Sequence, residues 1–126
     1  AEALLFLAEA INEQGGRSSE ALSYLNQIRN RAGLVNSTAS AQSDIRNAIV
    51  QERRVEFAFE GKRWFDLVRT GKAVDVITAY GAKVKANPQK YYYPGTLGPV
   101  ETAYTNIATS FNIPESETKY NPSLKK

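Results

Sequence analysis

Four carboxylates, Glu52, Glu56, Glu60 and Asp66, fall between positions 52 and 66, and two such groups facing a cleft are what a glycosidase uses as acid and base. The same stretch carries Arg53, Arg54, Lys62 and Arg63, and Arg69 follows three positions on. Interleaved cations draw carboxyl pKa values down, whereas a general acid needs one raised. The cluster therefore reads as a structural ion network, and no catalytic residue is assigned. Histidine and cysteine are both absent, which removes the commonest general base, the thiol nucleophile, disulfides and the usual zinc ligands. Asp66, Asn87 and Asn121 offer oxygen ligands but are too scattered for the roughly six that calcium takes. No metal and no cofactor are expected.

Binding is the chemistry that remains. Trp64, the sole tryptophan, lies between Arg63 and Phe65 and reads as a core residue or a ring stacked on arginine. The candidate ligand-binding residues are Tyr91, Tyr92 and Tyr93. In an extended strand Tyr91 and Tyr93 face one side and Tyr92 the other, which presents at least one ring as a platform for a sugar. Residues 95 to 112 supply Thr96, Thr102, Tyr104 and Asn106 as hydrogen-bonding groups to complete such a site.

The elements that position these groups come from a chain of 126 residues, 42% hydrophobic and 23% charged, which is the size of one globular domain. A formal charge of +3, spread along the chain, argues against a nucleic-acid partner. Methionine is absent even at position 1, and Ala1-Glu2-Ala3-Leu4 opens in mid-helix without a capping side chain. The chain is therefore expected to be a piece of a longer protein, with no secretory signal and no bilayer-spanning run within it.

Residues 2 to 13 place Leu4, Leu7, Ala8 and Ile11 on one helical face, and Gly15-Gly16 ends it. A second helix, capped by Ser18 or Ser19, carries Ala21, Leu22, Leu25, Ile28 and Ala32 and stops at Gly33. The pair has the landmarks of one tetratricopeptide repeat with an extra residue in the turn. After a polar loop, Ser40 or Ser43 caps a third helix whose stripe is Ile45, Ala48, Ile49, Glu52, Val55, Glu56 and Phe59, ended by Gly61. Glu52 and Glu56 on that stripe require cationic partners, and the nearby arginines and Lys62 supply them. Trp64, Phe65 and Leu67 restart an apolar face, and Ala73, Val74, Ile77 and Tyr80 form a short fourth stripe closed by Gly81. Beyond it, Asn87-Pro88, Pro94-Gly95, Gly98-Pro99, Ile113-Pro114 and Asn121-Pro122 predict loops, with one helical turn near Glu101 to Ala108. The expected fold is mainly α: a tetratricopeptide-like helical hairpin, further helices and an irregular, loop-rich C-terminal third.

The ungapped run ERRVEFAFEGKRWFDLVRTGKA, positions 52 to 73, closely resembles the signature near the C-terminus of the SusD/RagB family of outer-membrane nutrient-binding lipoproteins. Tyr91-Tyr92-Tyr93-Pro94, Ile113-Pro114, Glu117 and Asn121-Pro122-Ser123-Leu124 resemble the way its members finish. One departure is that residues 95 to 112 separate the aromatic run from the Ile-Pro. The resemblance implies that residues 1 to 126 are a single domain, the C-terminal fragment of a larger protein held on the outer face of a Bacteroidetes outer membrane by a lipid anchor outside this chain. It implies binding, without cleavage, of an oligosaccharide or other nutrient in polysaccharide utilisation. The partner it implies is a TonB-dependent, SusC-like transporter. A generic tetratricopeptide scaffold for protein interactions is the alternative, and it leaves the signature unexplained.

Overall fold

The computed structural model describes residues 1–91 and 103–124. The chain divides into two compact units, Ala1–Arg63 and Trp64–Lys126. Every regular element among the described residues is helical.

The first unit contains α1 (Glu2–Gln14), α2 (Ser18–Arg31) and α3 (Gln42–Glu56), each packed on the other two. Its core joins Leu5, Ala8 and Ile11 of α1, Ala21, Leu25 and Ile28 of α2, Ile45 and Ile49 of α3, and Phe57 just past it. Full burial of each large aliphatic side chain here contributes about 1.5–3 kcal/mol. Leu5 rather than Leu7 takes the inward position on α1, and Leu7 is exposed. Four consecutive apolar residues, Leu4 to Leu7, leave the phase of the first turn open to either choice.

Gly15 and Gly16 join α1 to α2 through positive φ angles of 76° and 72°, which side chains resist and glycine tolerates. The helix α2 ends in a Schellman arrangement, with Leu34 N–H donating to the Arg29 carbonyl and Gly33 N–H to that of Asn30. None of the four expected serines caps a helix. The caps are Arg17 for α2 and Ala41 for α3, neither with a side-chain bond. The loop before α3 is tied down, because Ser37 N–H donates to Asn26 Oδ1 at 2.9 Å and Arg29 Nε to the Val35 carbonyl at 2.9 Å.

The third helix stops at Glu56, short of Phe59 and Gly61. Phe59 takes φ 70° and Gly61 φ 70°, so the corner makes two left-handed steps and only the second is a glycine. Phe59, past the end of α3, and Val55, on the outer face of the helix, lie exposed, while Arg53 and Phe57 are buried. The start of α3 is cross-linked to the end of α1. Asn12 Nδ2 donates to the Gln42 carbonyl at 3.1 Å, Gln42 Nε2 returns a bond to the Asn12 carbonyl at 2.6 Å, and Arg46 grips both oxygens of Glu13 at 2.7 Å.

The second unit follows the start of α4 (Arg63–Arg69) and holds α5 (Ala73–Ala86), α6 (Pro88–Tyr91), α7 (Glu115–Tyr120) and a 3-10 turn, Pro122–Leu124. The expected stop at Gly81 is overturned, since α5 runs on to Ala86 with Ala73, Gly81 and Val84 buried. Pro88 begins α6 at a first-turn position, where its missing N–H costs nothing. Residues 103–105 form a turn with Tyr104 at φ 63°, so the described part of the Glu101 to Ala108 stretch is not the predicted helical turn.

Candidate functional site

The signature stretch builds its ion network from partners that lie far away in the sequence. Glu52, buried on α3, accepts from Arg29 Nη1 at 2.9 Å, and Glu56 accepts from Arg31 Nη2. Both arginines come from the last turn and a half of α2, so the two carboxylates tie α2 to α3. The requirement for cationic partners holds. The expected suppliers were Arg53, Arg54, Lys62, Arg63 and Arg69, and those observed are Arg29 and Arg31. Helical spacing carried the signal, because Arg29 follows Leu25 by one turn on the face that meets α3.

Arg53 is itself a buried cation at 3% exposure. Its guanidinium carbon lies 4.1 Å from the Phe6 ring centre and 5.1 Å from that of Phe57. A guanidinium suits this aromatic slot because it is planar and weakly hydrated. Glu2 bridges the cations at the edge of the slot, 3.8 Å from Arg53 Nη2 and 2.9 Å from Lys62 Nζ, while Glu60 stands 3.0 Å from Lys62. The hydrogen bond to Glu2, and then that to Glu60, raises the Lys62 pKa above its ordinary value. Asp66, buried on α4, accepts from Arg69 Nη2 at 3.1 Å and Nε at 3.3 Å. Such ion pairing ties these carboxylates to cations of the same fold. Trp64 is half-buried at the start of α4.

Among the candidate ligand residues, Tyr91 closes α6 and is 39% exposed. It is helical, so the extended strand read for 91 to 93 does not hold at Tyr91. Tyr92, Tyr93, Thr96 and Thr102 lie outside the described residues. Tyr91 meets the edge of Tyr80 at 5.8 Å between centroids and 81° between planes, with Lys90 Nζ 6.0 Å from its own ring centre. Tyr80 also meets Tyr104, at 5.9 Å and 80°. Three tyrosines thus share one cluster, in which Tyr80 and Tyr91 stay partly open to solvent. Helical spacing from Ala73 placed Tyr80 on the apolar stripe of α5, whereas it is 48% exposed. Asn106, the fourth hydrogen-bonding candidate, is exposed. Among the described residues no group of three or more acidic side chains is placed to hold a metal, and no helix is long and apolar enough to cross a membrane.

A helical hairpin continued by a third helix, with an arginine-paired carboxylate signature at its end, defines a tetratricopeptide-like helical protein. A match to the SusD family runs over residues 1–126, and the chain belongs to that family. It is 41% identical over 95 residues to SusD-like protein P2 of Formosa agariphila, a stretch covering 69% of this chain and 19% of that protein. It is 43% identical over 86 residues to SusD-like protein P38 of the same organism, covering 61% and 17%. Starch-binding protein SusD of Bacteroides thetaiotaomicron is 42% identical over 71 residues, covering 56% and 12%. The chain therefore spans less than a fifth of the length of these curated relatives. No solved structure matches it.

Proposed function

We propose that these residues are the C-terminal part of a non-catalytic nutrient-binding protein that takes an oligosaccharide and delivers it to a TonB-dependent transporter. The observation that carries the reading is the SusD family match over the whole chain, supported by a relative whose name is starch-binding protein. The placement that goes with this function is the outer face of an outer membrane, with a lipid anchor elsewhere in the intact protein. The paired carboxylates favour binding over cleavage. Glu52, Glu56 and Asp66 each have an arginine partner, the first two joining α3 to α2 and the third within α4.

The test is calorimetry of the full-length protein against a panel of oligosaccharides, with products followed by chromatography, together with co-purification from membranes. Binding without released sugar, and recovery of a transporter of the TonB-dependent class, are the expected results. Released sugar would overturn the non-catalytic reading. Failure to bind any glycan while a different nutrient binds would redirect the ligand class.

A further inference from the structure

The geometry points to Tyr80 and Gly81 as a clasp on α5 that holds two ends, the Tyr91 end of α6 and the turn at Tyr104. Tyr80 is the shared partner. The rings of Tyr91 and Tyr104 each meet it in a T-shaped pair, at 5.8 Å and 5.9 Å, so two segments far apart in sequence converge on one ring of α5. Ordering each of these ends against α5 has a conformational cost, and ring pairs of this geometry offset part of it.

Gly81 supplies the second half of the clasp. A Cβ placed there would lie 2.4 Å from Tyr104 Cβ and 2.7 Å from its Cγ. Those atoms sit at the root of the side chain, so no change of rotamer removes the clash. Two local preferences are overridden at this contact. Glycine weakens a helix relative to alanine, yet Gly81 is in the middle of α5. A left-handed φ is costly for a residue with a side chain, yet Tyr104 has φ 63°. Close approach of Tyr104 to α5 accounts for both, because it needs a bare backbone on the helix and a sharp turn at Tyr104 itself.

Hydrogen exchange read by mass spectrometry on the full chain tests the clasp, with Tyr80→Phe, Tyr80→Ala and Gly81→Ala compared with the unaltered protein. Gly81→Ala is expected to speed exchange in peptides around Tyr104 by about two- to tenfold, the factor a ring pair represents, while leaving those around Tyr91 unchanged. Alanine is the better helix former, so α5 itself should exchange no faster. Tyr80→Ala should release both ends, and Tyr80→Phe, which keeps the ring, should behave as the unaltered protein. Peptides from α1 to α3 report whether a variant is folded. If Tyr80→Ala fails that control, Gly81→Ala decides alone, because its expected effects on α5 and on Tyr104 have opposite signs. Unchanged exchange at Tyr104 in Gly81→Ala would overturn the clasp. So would release of only one end in a folded Tyr80→Ala, or loss of both contacts in Tyr80→Phe.

Discussion

Arg29 Nη1 donates to Glu52 Oε2 at 2.9 Å across the boundary between α2 and α3, joining residues 23 positions apart. The Glu52 side chain is 9% exposed and that of Arg29 24%, so water reaches the arginine side chain more freely than the glutamate.

Glu52→Ala is expected to lower unfolding stability by about 2 kcal/mol. A fully buried pair broken on one side costs about 3–5 kcal/mol, but here the arginine keeps some solvent and its Nε bond to the Val35 carbonyl. Urea unfolding measures the loss. A change under about 0.5 kcal/mol would mean that the pair does not hold α2 to α3.

Arg53→Lys tests the aromatic slot. Lysine keeps the charge but forfeits the flat face against Phe6 and Phe57, for an expected loss of about 1–2 kcal/mol. Arg53→Ala should cost about 3 kcal/mol, since it also empties a buried volume. Equal stability of the lysine variant and the unaltered protein in the same urea assay would show that charge alone matters at this position.

The pH dependence has a defined sign at each end. The Arg46 hydrogen bonds hold the Glu13 carboxyl below its ordinary value of 4.5. That pair's contribution is complete above 4.5 and is lost as pH falls through the depressed folded-state value. Glu13→Gln should therefore flatten the acid limb of a melting-temperature profile taken from pH 6 downward. Lys62 behaves in the opposite sense: raised above 10.5 by Glu2 and Glu60, it contributes fully below that value, and the contribution is lost as pH rises through the folded-state value. An acid limb unchanged in Glu13→Gln would remove the pair from the account.

Much of the fold was legible because α1, α2 and α3 repeat apolar residues at helical spacing and glycines mark their turns. What was not legible has particular causes. The phase of α1 was ambiguous because Leu4, Leu5, Phe6 and Leu7 are all apolar. The end of α3 was hidden because Phe59, a residue that disfavours left-handed backbone, adopts it. The partners of Glu52 and Glu56 were sought nearby, whereas helix packing brought Arg29 and Arg31. At the tyrosines, Pro88 was read only as a helix breaker although it also starts helices well, which misplaced Tyr91 in a strand. The place of Tyr104 beside Tyr80 depends on Gly81 acting as a contact surface, and local glycine rules favour a stop there.

Arg29 has three attachments. Its carbonyl receives Leu34 N–H in the helix-ending turn, its Nε holds Val35 in the loop, and its Nη1 holds Glu52 on α3. In terms of cooperativity, the last turn of α2, the start of the loop and the later part of α3 are therefore not free to fray one at a time. Opening any one strains the bonds to the others, so this corner of the protein breathes as a single unit whose local stability exceeds that of an ordinary helix end.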